Sequence, residues 1–361
     1  MRDVARVAKV SASTVSRVLH GGRHVRTELA QRVVLAARRL GYTLNPFVSD
    51  LMMRRRSAAS GPAAAPTFAW IEPFEDPEET MSHPVQRRFW EGARRRAEEL
   101  GCRIERFQSR AAGMTPERLT GMLVARGIEG VILLPQPLHL GAGPPLETKR
   151  FACVSLGRTR DSHALHTAVG DLQEAMRNAC LELHRRGYRR IGCMLPHFLE
   201  RMVDYRLAAG YLAAVGAELR MDALPILYGY GLEGAPPAID AEGGRRSPEL
   251  ARDSLRPGDT RLWLEQARPD VVISTHVVAR DGLARLGLRV PEDIGFVHLG
   301  QEPGDTTTAG VDQRLELVAA AAVDLVIAQL TRNERGPPET PKTVTIPGVW
   351  RDGPSVRARM P

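Results

Sequence analysis

Acidic side chains are nearly missing from the first 56 residues of this 361-residue chain, where 3 Asp/Glu stand against 12 Lys/Arg. The rest of the chain holds 38 Lys/Arg and 39 Asp/Glu, so the net charge of +8 originates in the first sixth of the molecule. Aromatic residues are only 5%, yet the length and a 43% hydrophobic content allow two or three domains with sizeable cores. The four cysteines (Cys102, Cys153, Cys180 and Cys193) show no C-x-x-C spacing. That argues against a zinc site or disulfide scaffold and leaves reduced core thiols as the expectation. No apolar run such as LVAAAAV approaches the roughly 20 residues of a membrane span. The opening MRDVARVAKVSAS has no hydrophobic signal region or cleavage pattern, so the expected location is the cytoplasm. Catalytic patterns are absent too, with no Walker loop, H-E-x-x-H or G-x-S-x-G. The closest histidine pair, His163 and His166, is expected on the surface at a junction. No catalytic residue, metal or cofactor is therefore expected, and the chain reads as something other than an enzyme.

What is present begins with the basic N-terminal module, which suits a polyanion, most simply DNA. Asp3 to Ala8 places Val4 and Ala8 on one side of a short helix. Ser11 is suited to cap a second helix whose Val15, Val18 and Leu19 face inward, ended by Gly21-Gly22. Thr27 caps a third helix, with Leu29, Val33, Ala37 and Leu40 inward and Gly41 closing it. Helices one and two are separated by three or four residues, the spacing of a helix-turn-helix unit. In that unit the second helix enters the major groove. Its DNA-facing candidates are Ser11, Ala12, Ser13, Thr14, Ser16 and Arg17, with His24 beyond it. Arginine can grip guanine with two hydrogen bonds, Ser and Thr pair with several bases, and Ala can touch a thymine methyl.

The string D-V-A-x-x-A-x-V-S-x-S-T-V-S-R-V-L-x-G, followed by V-x-x-x-x-x-x-R-V-x-x-A-x-x-x-L-G-Y, closely resembles the DNA-binding headpiece of LacI/GalR-family bacterial transcription regulators. The resemblance runs from Asp3 through Leu51. Lys9 departs from it, because relatives usually carry Gly or Asn there. Either Lys9 adopts the turn at some cost or the first helix runs longer.

The resemblance also gives a role to NPFVSDLMMRRR (residues 45–56). In the family this segment becomes a hinge helix on the operator, and a leucine from each subunit wedges into the minor groove. The matching residue is Leu51. Asn45 suits an N-cap and Pro46 the first helical position. The segment is far shorter than the ~12–15 residues at which isolated helices become marginal, so docking must supply its stability. Asn45, Val48, Leu51 and Arg54 join the DNA-facing candidates, with Arg54–Arg56 over phosphates.

From residue 67 strands and helices alternate, which implies parallel sheets covered by helices. The fold class is thus an all-α helix-turn-helix headpiece with hinge helix, followed by a two-lobed α/β core. The resemblance implies a periplasmic-binding-protein-like core. The expected domains are 1–44 (headpiece), 45–56 (hinge), 57–66 (linker) and 67–361 (core). Within the core, the first lobe is expected over about 67–166 and 314–341, and the second over about 167–313 and 342–361. Tyr228 to Asp259, rich in Gly, Pro and charge, reads as a long loop.

The resemblance further implies a small effector between the lobes, held by Arg206, with Arg201, His276, Gln301 and Gln313 as the other candidates. Where relatives carry aspartates, this chain has His276-Val277, Gly300-Gln301 and Gly157. Ionised carboxylates grip sugar hydroxyls through short hydrogen bonds. Their loss points to an anionic or less polar effector, or to none. The expected function is a DNA-binding regulator, taken as a repressor, that reads a palindromic double-stranded operator as a homodimer without a membrane partner. RDGPSVRARMP after Trp350 shows no heptad tail for a tetramer. The rival readings are an architectural DNA-binding protein without effector and a solute-binding protein.

Overall fold

The computed structural model describes residues 2–11, 14–15, 18, 27–39, 65–76, 78, 81, 84–135, 145–157, 164–229, 257–276 and 278–357. In the N-terminal unit, α1 (Arg2–Ala8) and α2 (Thr27–Arg39) pack around a helical turn at Thr14–Val15. Val4, Ala8, Val15, Val33 and Ala37 are buried as the apolar period requires, and Ala5 and Ala36 join them. Ser11 Oγ accepts the Thr14 amide at 3.1 Å, the expected cap.

The turn after α1 answers the question that Lys9 raised. The Val10 amide donates to the Ala5 carbonyl (3.0 Å) and the Lys9 amide to the Arg6 carbonyl (3.3 Å), which is a Schellman closure. Lys9 sits at φ 52°, so the helix is not extended and lysine occupies a left-handed position. That conformation costs a residue with a Cβ roughly 1 kcal/mol relative to glycine. Arg32 on α2 donates to the Ala8 carbonyl at 2.6 Å, satisfying an open acceptor at the end of α1.

The remaining elements are β1 (Thr67–Glu72), α3 (Pro84–Glu99), β2 (Arg103–Gln108), α4 (Pro116–Ala125), β3 (Gly130–Leu133), β4 (Ala152–Leu156), β5 (His166–Gly170) and α5 (Leu172–Arg185). They continue with β6 (Ile191–Leu195), α6 (His197–Met202), α7 (Arg206–Leu212), β7 (Leu227–Tyr228), α8 (Pro257–Ala267), β8 (Val271–Ser274) and α9 (Val278–Arg285). Last come β9 (Gly295–His298), β10 (Ala309–Asp312), α10 (Leu315–Arg332), β11 (Thr343–Ile346) and β12 (Val349–Arg351). Two six-stranded sheets form, in the orders β11-β5-β4-β3-β1-β2 and β12-β10-β9-β8-β6-β7. All pairings are parallel except β10 with β12. The central strands are buried along their whole length, as expected for sheets covered on both faces.

Three expectations need correction. Strands β5 and β11 pair with each other in the first sheet, so 167–170 and 343–346 belong to the first lobe, beyond the expected limits of 166 and 341. His166 is not on the surface. It is 2% exposed in β5, where its Nδ1 accepts the Lys342 amide at 3.0 Å. The stretch expected as a loop to Asp259 gives way to helix α8 at Pro257. The four cysteines are free and buried, and burial alone raises Cys153 to about 12.

The lobes are tied at the β10–α10 crossover. Arg88 on α3 donates to Asp312 (2.8 Å) on β10 and to both oxygens of Glu316 (2.6 and 2.9 Å) on α10. Burial pushes the Asp312 and Glu316 carboxyls upward, but the Arg88 hydrogen bonds, backbone amides and the positive charge of Arg88 together outweigh it, and both end below their ordinary values.

Candidate effector cleft and DNA-facing residues

Of the expected DNA-facing residues, Ser11 and Thr14 are described, and Ser11 Oγ is engaged at the helix cap and with Thr14 Oγ1 at 2.8 Å. Ala12, Ser13, Ser16, Arg17, His24, Asn45, Val48, Leu51 and Arg54 lie outside the described residues.

The effector candidates gather at the carboxyl ends of the second sheet, where open α/β sheets bind their ligands. Register places Ser274 of β8 beside Met194 of β6 and His298 of β9. The residues that follow these strands therefore crowd one edge. His276 is half-buried, its Nδ1 3.0 Å from Thr275 Oγ1. His298, 8% exposed, lies with Nε2 3.0 Å from the Thr275 carbonyl. A carbonyl only accepts, so Nε2 carries the proton, and burial depresses the imidazole's pKa and keeps it neutral at pH 7.

Gln301 and Gln313 are both buried, and each has one end fixed. Gln301 Nε2 donates to the Thr308 carbonyl at 2.6 Å, and Gln313 Nε2 to the Leu299 carbonyl at 2.9 Å. The Oε1 of each is buried with no partner among the described residues. Gln313 also faces the other lobe, because a Cβ built on Gly170 of β5 would come within 3.3 Å of its Oε1. Gly157, where relatives carry aspartate, stands at φ 78°, and an added Cβ would meet Pro135 at 2.8 Å. This backbone has no room for a carboxylate there.

Arg206 opens α7 and is half-buried, with Nε sealed from solvent and unpartnered among the described residues. Arg201 on α6 is exposed. Sequence reasoning missed the neighbours of Arg206. Glu200 is fully buried, with Oε2 accepting the Ala208 amide at 3.0 Å and Oε1 unpartnered among the described residues. Burial raises its pKa, against hydrogen bonds from the amides of Ala208 and Leu207. His197 has ring neighbours in Tyr205 (6.2 Å) and Tyr228 (5.4 Å). No pattern in HFLERMVDYR marked these residues, because their association depends on a turn through two consecutive left-handed residues, Asp204 (φ 54°) and Tyr205 (φ 55°).

Comparison with known proteins adds to this geometry. Residues 1–45 match the family of bacterial regulatory proteins of the lacI family, and residues 181–355 match the periplasmic binding protein-like domain. The ribose operon repressor of Haemophilus influenzae is 33% identical over 81 residues, 20% of this chain and 24% of that protein. The HTH-type transcriptional regulator pepR1 of Lactobacillus delbrueckii subsp. lactis is 47% identical over 53 residues, 15% of this chain and 16% of that one. The chain thus spans about a quarter or less of the length of these curated relatives.

Solved structures cover nearly everything. A transcriptional regulator CelR–cellobiose complex aligns with a TM-score of 0.56 at 21% identity, covering 98% of each chain. The lac repressor dimer bound to operator and the anti-inducer ONPF aligns at 0.55 and 16%, covering 99% of this chain and 98% of that one. A LacI-family regulatory protein from Chloroflexus aggregans aligns at 0.57 and 18%, covering 80% and 98%. These likenesses speak for the fold. No helix among the described residues is long and apolar enough to cross a membrane. The chain thus joins a domain that matches the lacI family of bacterial regulatory proteins, over residues 1–45, to one that matches the periplasmic binding protein-like domain, over 181–355, on a fold shared with solved structures of this type.

Proposed function

We propose that the protein is a transcription regulator that binds a palindromic operator as a homodimer and responds to a small molecule held between its lobes. The observation that carries this reading is the N-terminal unit. Its helix-turn-helix core is buried as the apolar period requires, it matches the lacI-family model over residues 1–45, and it holds the chain's excess positive charge. A homodimer presents two headpieces related by a two-fold axis, so the operator repeats as an inverted pair. The ribose operon repressor, by its name, represses, which supports the same sign here. Effector and operator then act on one equilibrium, and any effect of ligand on DNA affinity returns equally as an effect of DNA on ligand affinity.

Selection of bound sequences from random DNA tests the proposal. The expected outcome is an inverted repeat whose affinity falls steeply with salt. Recovery of no preferred sequence overturns it. Leu51→Ala is expected to weaken the selected site while leaving salt-sensitive binding to unrelated DNA nearly unchanged. Equal affinity for the selected site would remove the hinge from the mechanism.

A further inference from the structure

The cleft region has a cation without an ion-pair partner among the described residues, beside several carboxylates that are otherwise engaged. The Arg206 guanidinium has no ion-pair partner among the described residues, and its Nε is sealed from solvent. A buried donor without an acceptor is a standing cost that a ligand with an acceptor removes. Four carboxylates at or beyond other strand ends are occupied, among them Asp305, which accepts from Thr307. Glu72, closing β1, is held by Arg106 and Gln108, Asp312, closing β10, by Arg88, and Asp171, following β5, caps α5. Glu200, buried beside it, spends Oε2 on the Ala208 amide and makes no ion pair with Arg206 among the described residues.

The second feature is a set of rings. Tyr205, directly before Arg206, is 46% exposed although its hydroxyl lies 3.4 Å from His197 Nε2. Tyr228 on the edge strand β7 flanks the same imidazole. Tyr205 takes this position in the left-handed region, where only glycine is free of strain, and such strain collects where a site must be shaped. The third feature is the pair of buried, unfilled acceptors on Gln301 and Gln313, fixed by their amide nitrogens so that their oxygens call for donors.

From these features we infer that the cleft takes a hydroxylated ring carboxylate. Its acid group would be gripped by Arg206, its ring set against Tyr205 and His197, and its hydroxyl hydrogens given to the glutamine oxygens. A neutral hexose matches the acceptors but leaves the guanidinium unneutralised. A plain inorganic anion matches Arg206 alone. The inference rests on the effector reading above and goes beyond it in naming the ligand class.

The test is thermal denaturation and titration calorimetry of the full chain with para-hydroxybenzoate, protocatechuate and para-coumarate. Each acid is paired with its own carboxamide, and glucose and inorganic phosphate are run beside them. At least one acid is expected to raise the melting temperature and its carboxamide to fail. Arg206→Gln should weaken that acid by roughly 10- to 100-fold, the range for losing a charge-assisted hydrogen-bond pair. Arg206→Lys keeps the charge without the planar fork and should fall between. Tyr205→Gly should raise the melting temperature of the free protein by relieving strain while weakening the acid, which a merely structural tyrosine would not do. Stabilisation by carboxamides or glucose equal to that by acids, unchanged binding in Arg206→Gln, or no response to any of the three acids overturns the inference. Selective DNA binding measured on the same preparations separates the outcomes. If it persists without a response to the acids, only the ligand class fails, whereas its absence removes the regulatory reading itself.

Discussion

Glu72 closes β1, the opening strand of the first lobe, and Arg206 stands beyond β6, the opening strand of the second, past α6 and the Asp204–Tyr205 turn; the two are treated in opposite ways. Glu72 is fully buried and saturated, with Arg106 Nε at 2.6 Å, Arg106 Nη2 at 3.0 Å and Gln108 Nε2 at 2.9 Å. Arg206 is half-buried and leaves a donor unmet among the described residues. Glu72 is spent inside its own lobe, whereas Arg206 is kept in reserve. Saturated charges hold an architecture, and an unsaturated one in a cleft has its use in a partner.

Substitutions can test that contrast. The largest effect should come from Arg88→Met at the lobe junction, which leaves Asp312 and Glu316 without their cation and should cost about 4 kcal/mol in urea denaturation. Both carboxyls titrate below their ordinary values in the native protein, so their contribution is complete above the unfolded values and is lost as pH falls through the folded ones. Stability of the native protein should therefore drop on acidification below about pH 4, and Arg88→Met should lose that part of the pH dependence. Next, Arg106→Met should cost about 3 kcal/mol, since it strands a buried Glu72. A cost near zero would show the Glu72 pair to be ornamental.

Gly210→Ala follows at about 2 kcal/mol, because its Cβ would sit 2.4 Å from the Gln173 carbonyl where α7 crosses α5. Gly92 plays the same part in the first lobe, against the Glu316 backbone at 2.2 Å. Lys9→Gly should stabilise the N-terminal unit by about 1 kcal/mol, seen as slower amide exchange in α1 and α2. The smallest effect belongs to Arg206→Met, which should shift stability by less than about 0.5 kcal/mol, because removing an unpaired donor takes away no native bond. A loss as large as that of Arg106→Met would erase the distinction between the lobes.

Much of this was legible in the chain. The burial of Val4, Ala8, Val15, Val33 and Ala37 follows from helical spacing, and strands such as GVIL and VVIS are runs with no polar interruption. What escaped was short and non-local. The TVTI of β11 has alternating exposed residues and becomes a strand only by pairing with HTAVG of β5, 176 residues earlier by the Thr167–Thr343 register. His166 in a five-residue strand looks polar until its neighbours enclose it. Arg206, Gln301 and Gln313 became effector candidates through the family pattern, and the absence of a carboxylate at Gly157 has a steric reason in Pro135. The ring set around His197 was invisible because it is assembled by backbone dihedrals rather than by residue spacing.

The chain passes between the sheets after β5, after β10 and after β11, and these crossings set the order in which a growing polypeptide can finish its parts. The first sheet begins at residue 67 but waits for α10, whose Val318, Ala319, Ala322, Val323, Val326 and Leu330 are no more than 1% exposed against it, and for β11 as its last edge. The second lobe lacks only the edge strand β12 and the short tail behind it once Asp312 has emerged. On the ribosome the later lobe is therefore nearly whole before the earlier one can close, and a half-made first sheet must be carried with one face bare.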